Sequence, residues 1–159
     1  MIIYGNTEWE KDLNDVIDLC KTWWKDSLFY KLYGVEYKVD INLFETVKNS
    51  GQLIYTLGRN ENNKLISCYV GVKSPYMFNP SLMTASEIVW CVRKEERCFK
   101  NLVGLMRAVE NLMKSENIMQ WNLNVSNEEK YNSTCQFLES RGYDFMDRCF
   151  TKLKGERNG

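Results

Sequence analysis

The chain has 159 residues, enough for one domain with a single substantial core and too few for a separate second one. Hydrophobic residues make up 44% and aromatics 13%, with nine Gly and two Pro, a composition that excludes a disordered or fibrous protein. Lys plus Arg equals Asp plus Glu at 21 each, so no overall field draws the chain to nucleic acid or to an acidic membrane, and a nucleic-acid partner is not expected.

Histidine is absent, which removes Ser-His-Asp and Cys-His catalysis and imidazole metal ligation together. Cysteines at 20, 68, 91, 98, 135 and 149 show neither a C-x-x-C pair nor metal-ligand spacing. They read as reduced, core-filling thiols of a cytoplasmic protein, with no metal. The start MIIYGNTEWEKD has neither the basic region nor the apolar run of a signal peptide, and no stretch is long enough to span a membrane.

In chain order, Met1 to Tyr4 is a short edge strand. From Thr7 the pattern turns helical: Trp9, Leu13, Val16, Ile17, Cys20, Trp23 and Trp24 make an apolar stripe, while Glu10, Lys11, Asp12, Asp15 and Asp18 face water. Thr7 and Glu10 have the spacing of a capping box. Ser27 to Lys38 is rich in aromatics and reads as an irregular connection. Asp40 caps a short helix that ends at Gly51. Gln52 to Arg59 and Lys64 to Lys73, separated by a polar turn, read as an antiparallel hairpin. Ser74 to Met83 holds both prolines and reads as a loop.

Ser86 to Glu116 is the organising stretch, a strand running through a short turn into an amphipathic helix. Alternation puts Ile88, Trp90 and Val92 on one face of the strand and Glu87, Val89 and Cys91 on the other, so both faces are mostly apolar and the strand is central. From Phe99 the period changes, and Leu102, Leu105, Met106, Val109, Leu112 and Met113 recur at helical spacing. Such a helix start can hold an anion, because its first N–H groups have no intrahelical partners. Ile118 to Val125 follows as a strand, with Met119, Trp121, Leu123 and Val125 on its apolar face. A helix over about Glu128 to Arg141 comes next, and the end from Tyr143 to Leu153 is a pair of short strands before a frayed tail at 155–159.

The order strand, helix, helix, three strands, helix, strand, helix, strand, with the run SEIVWCV, then Arg97 and LVGLMRAVE, resembles the GNAT acyl-CoA N-acyltransferases over residues 1–154. The resemblance implies an α+β, α/β/α layered fold with a central mixed, mostly antiparallel sheet flanked by helices. It also implies acetyl-CoA as cosubstrate and an amine of a protein or small molecule as acceptor. More narrowly, the compact layout is similar to acetyltransferase-like proteins of tailed bacteriophages, which would place the protein in host cytoplasm. The oligomeric state stays open, a homodimer included.

The resemblance carries specific roles. Glu87 falls where the family's general base stands, and burial on a central strand favours its neutral form. Backbone N–H at Cys91 or Val92 falls where the acyl oxygen is held. The turn Arg97 to Leu102, with Lys100 and Asn101, matches the pyrophosphate site. Arg97 fits the family's Q/R-x-x-G-x-G/A pattern, whereas Lys100 and Leu102 replace both glycines, so an ammonium stands where close backbone approach is usual. Leu138 occupies the position of the usual acid, a tyrosine, and Tyr131 is the substitute. Phe29, Tyr30, Tyr33, Tyr76 and Phe78 flank the acceptor side.

Each residue has a plainer reading beside this one. Glu87 can pair with a neighbouring cation, Arg97 and Lys100 can belong to a solvated turn with Glu95 and Glu96, and the aromatics can pack. With both glycines and the usual acid replaced, the alternative function is a catalytically degenerate protein of the same fold, serving as a virion component or binding a host factor.

Overall fold

The computed structural model describes residues 1–6, 8–25, 27–125 and 131–145. They fall into two compact units, Met1–Leu123 and Asn124–Gly159.

The first unit carries one mixed sheet of five strands in sequence order. β1 (Ile3–Gly5), β2 (Leu53–Arg59), β3 (Leu65–Tyr76) and β4 (Asn79–Val92) pair antiparallel in turn, and β5 (Gln120–Asn122) joins β4 in parallel. α1 (Trp9–Trp24) and α3 (Ile41–Asn49) lie on one face of the sheet, and α4 (Phe99–Ser115) on the other. Among the described residues no helix is long and apolar enough to cross a membrane.

α1 buries Trp9, Leu13, Val16 and Leu19 against Leu57, Leu65, Cys68, Val70 and Cys91 of the sheet. Each such aliphatic side chain contributes on the order of 1.5–3 kcal/mol by leaving water. Trp9 also stacks edge-on against Tyr55, with ring centroids 4.7 Å apart, and lies 6.0 Å from Phe44 of α3. α3 keeps its expected cap, the Asp40 side chain accepting from the Asn42 N–H at 3.0 Å. On the other face α4 buries Leu105, Met106, Val109 and Met113, as the spacing predicts.

Several expectations change. Asp12 does not face water: it is 1% exposed and accepts from Arg59 of β2 at 2.8 Å. Charge pairing overrides the helical pattern there. Ser27 to Lys38 is not wholly irregular, because α2 (Leu28–Tyr33) forms between the Ser27 side chain, which accepts from the Tyr30 N–H, and Gly34. Ser74 to Met83 is not a loop but the end of a long hairpin. Pro75 and Pro80 sit within β3 and β4, and the chain reverses at Met77–Phe78. Met119 does not point inward; it is 65% exposed just before β5. The N-cap of α1 is Glu8, with no side-chain bond, and Thr7 lies outside the described residues, as do 128–130 and the expected strands after 145.

The second unit contains α5 (Tyr131–Ser140), which buries Leu138 and closes at Arg141 and Gly142 with bonds back to Leu138 and Glu139.

Arg59 is shared between Asp12 and the half-exposed Asp15 at 2.7 Å. Asp12→Ala should therefore cost about 3 kcal/mol, the lower end for breaking a buried pair because Asp15 remains. Urea denaturation checks this, and a loss within about 0.5 kcal/mol, typical of surface changes, would mean that the pair does not hold α1 to the sheet.

Candidate active site

β5 pairs with β4 at Thr84, Ala85 and Ser86 and goes no further. From Glu87 to Val92, β4 therefore has β3 on one side and, among the described residues, no strand on the other. This open edge starts at the first residue singled out in the sequence.

The β3–β4 ladder also slips there. Val70 pairs with Val89 and Gly71 with Glu87, which leaves Ile88 as the extra residue of a β-bulge. The bulge overturns the expected alternation. Directly paired residues share a face, so Trp90 opposite Tyr69 and Glu87 opposite Gly71 lie on the α4 face together. Val92, opposite Ser67, joins them, whereas Val89 and Cys91 pack into the α1 cluster. One inserted residue thus sets Glu87 apart from Val89 and Cys91.

The direction of the amides follows from the same ladder. The Arg93 N–H donates to the Ile66 carbonyl at 2.7 Å, so the alternate residue Cys91 also turns its N–H and C=O toward β3. Those of Trp90 and Val92 turn to the open edge. The Val92 carbonyl indeed accepts from Arg97 Nε at 3.1 Å on that side. Of the two amides singled out in the sequence, the edge-facing one is that of Val92. Trp90 is its companion, which sequence reasoning missed.

Glu87 is half-buried, and one of its carboxylate oxygens is fully enclosed. Its cross-strand neighbour Gly71 leaves room for another group: a Cβ there would lie 2.6 Å from Tyr69 Oη and 2.9 Å from the Ser86 carbonyl oxygen. The phenol of Tyr69, itself fully buried, therefore covers Gly71 on the face that carries Glu87. Sequence reasoning passed over Tyr69. The available signal was the glycine inside the strand, two residues further along.

The turn after β4 is a short 3₁₀ segment, Lys94–Glu96, leading through Arg97 to Cys98, the N-cap of α4. The Asn101 side chain closes this turn by donating to the Glu96 carbonyl at 2.7 Å, and the Asn101 carbonyl accepts from Tyr4 at 3.2 Å. Leu102 is half-buried, and its N–H returns to the Cys98 carbonyl at 3.1 Å. Cys98 provides no side-chain cap, and Cys98, Phe99 and Lys100 are all exposed, so the uncapped first turn of α4 is open to a ligand. Gly104, one turn on, lets Tyr4 of β1 lie against the helix, since a Cβ would meet its hydroxyl at 2.8 Å.

The structure thus brings Glu87, Trp90, Val92 and Arg97 along one edge, with Lys100 at the adjoining helix start. Tyr131 opens α5 in the second unit and is half-buried. Tyr30 and Tyr33 stand on α2 at 41% and 43% exposed, and Phe29 falls outside the side chains described. Tyr76 and Phe78 meet at the hairpin tip, with centroids 5.7 Å apart. Two surface depressions of about 340 and 330 Å³ lie elsewhere, along β1 and β2, and neither is lined by Glu87.

A mixed sheet whose fourth strand bulges and parts from the fifth, followed directly by a helix start, defines the GNAT acyl-CoA N-acyltransferase fold, α+β in class. Solved structures agree. The chain is similar to glucosamine-6-phosphate N-acetyltransferase from Arabidopsis thaliana, at 14% identity and a TM-score of 0.69, over 98% of this chain and 99% of that one. It is similar to an aminoglycoside acetyltransferase from an uncultured soil metagenomic sample, at 8% identity and a TM-score of 0.71, over 98% and 99%. A predicted acetyltransferase from Clostridium acetobutylicum, solved with acetyl-CoA, matches at 17% identity and a TM-score of 0.68, over 96% of each chain. No family model matches the chain. No curated protein matches it either.

Gly71→Ala should lower stability by about 1–3 kcal/mol, since its Cβ collides with both Tyr69 and the Ser86 backbone. Gly5→Ala, where nothing lies within 4 Å, is the control and should stay within about 0.5 kcal/mol. Equal urea midpoints for the two variants would contradict the packing of Tyr69 over Gly71.

Proposed function

We propose that the protein is an acetyl-CoA-dependent N-acetyltransferase acting on an amine of a protein or small molecule. The observation that carries this reading is the open β4 edge from Glu87 to Val92, which runs directly into the uncapped start of α4. When bound, acetyl-CoA supplies a thioester carbonyl that an unprotonated amine can attack. The first-turn amides of α4, with Arg97 and Lys100, are the groups that hold its pyrophosphate. Exposure of Cys98, Phe99 and Lys100 fits this role, because a phosphate can approach without displacing packed side chains.

The remaining steps belong to the chain's own residues. The Glu87 carboxylate takes the proton of the amine, directly or through a water, as the C–N bond forms, and returns it to the departing thiolate as the C–S bond breaks. The amide of Val92, turned to the edge, donates to the acyl oxygen as it gains charge. Arg97 braces this strand end by holding the Val92 carbonyl, so its contribution to binding is partly positional.

A specific observation also favours the cofactor-free alternative. Both glycines of the pyrophosphate pattern are replaced, and the Arg97 Nε is already engaged. Titration with acetyl-CoA separates the readings, because a ligand that binds only the folded protein raises its melting temperature. We expect micromolar affinity by calorimetry and a matching thermal shift. No binding at millimolar acetyl-CoA would leave the degenerate, partner-binding reading.

Two variants sharpen the proposal. Glu87→Gln should lower kcat by roughly 10²–10⁴ with little change in acetyl-CoA affinity, as expected for loss of a general base. Unchanged turnover would remove that role. Lys100→Ala should weaken acetyl-CoA binding about tenfold, a charge-assisted contact's worth, without altering stability, because the side chain is exposed. Tighter binding in this variant would mean that the lysine obstructs the phosphates.

A further inference from the structure

On the α1 face of the sheet, away from Glu87, three cysteines from three elements meet. Cys68 of β3 and Cys91 of β4 are direct cross-strand partners, both buried, with Sγ atoms 3.7 Å apart. Cys20, near the end of α1, packs against the same cluster, which contains both thiols. It is the half-buried member, so reagents reach the cluster through it.

We infer that Cys20, Cys68 and Cys91 form an oxidative modification site for small hydroperoxides, in which Cys20 is oxidised first and Cys68 or Cys91 resolves it as a disulfide. The Cys20 thiolate attacks a peroxide oxygen, the O–O bond breaks, hydroxide or alkoxide leaves, and Cys20 becomes a sulfenic acid. The Cys68 or Cys91 sulfur then attacks the Cys20 sulfur. The S–O bond breaks, and the departing hydroxide takes the proton of the resolving thiol to leave as water. Two electrons pass from the two thiols to the peroxide, so no further reductant or oxidant is needed.

The order of events follows from the surroundings. Hydrogen bonds from Cys68 and then Cys91 hold Cys20 below the usual thiol range, which favours the attacking thiolate. The bond with Cys20 pushes Cys91 up to about 12, and Cys68 is raised as well, so neither supplies the first thiolate. The disulfide would tie α1 covalently to the β3–β4 pair. This chemistry is independent of the proposed acyl transfer.

Exposed Cys98 is the internal comparator. The wild-type protein is treated with substoichiometric hydrogen peroxide, digested without reductant and mapped by mass spectrometry, with and without a sulfenic-acid trap. The expected result is a cross-linked peptide joining Cys20 to Cys68 or Cys91, lighter by two hydrogens and reversed by dithiothreitol, with trap found on Cys20 and Cys98 still reduced. In Cys20→Ser the cross-link should vanish. Oxidation of Cys98 while Cys20 stays reduced, or a Cys68–Cys91 bond that leaves Cys20 free, would overturn the inference.

Discussion

The antiparallel ladder between β3 and β4, with its single slip at Ile88, is the constraint on which the rest of this structure depends. It is the longest pairing in the sheet and carries side chains to both cores. The inserted residue shifts the phase of β4, so the same strand can give Val89 and Cys91 to the α1 side and Glu87, Trp90 and Val92 to the α4 side. Without the bulge, Glu87 would fall in phase with Val89 and Cys91, against α1. A carboxylate there would face a packed apolar cluster with a large desolvation cost.

The ends of the ladder are held by charge. Arg93, buried at the end of β4, donates to the Leu65 carbonyl through Nε at 3.1 Å and reaches Asp18 of α1 at 3.4 Å. Arg59 and Asp12 make the corresponding tie between β2 and α1. At the far side, Lys73 of β3 meets Glu116, just beyond α4, at 2.6 Å. These half-buried pairs link helix to strand on both faces of the sheet. They flank the edge of β4 beyond Ser86, which no strand covers among the described residues.

Much of this was legible in the sequence, and the misses have physical causes. The change of period at Phe99 located α4, because Leu105, Met106, Val109 and Met113 are all core residues. The bulge was invisible, since EIVWCV reads as perfect alternation and only the partner strand reveals that Ile88 is unpaired. Asp12 was misplaced because helical periodicity cannot anticipate Arg59, 47 residues away. Two prolines in ten residues predict a loop, yet both lie near the hairpin tip, where few ladder bonds are lost. Among the site residues, Glu87 and Arg97 follow from a family resemblance, whereas Trp90 emerges from the strand register and Tyr69 from its packing over Gly71.

On the proposed function, an acyl-CoA lies along the β4 edge from Glu87 to Val92 and the start of α4. Amide hydrogen exchange followed by NMR, with and without saturating acetyl-CoA, tests it residue by residue. Slowed exchange at Trp90, Val92 and the first turn of α4, with Cys91 unchanged because its N–H already faces β3, is the predicted pattern. Protection confined to other parts of the molecule, with Trp90 and Val92 exchanging as before, would contradict it.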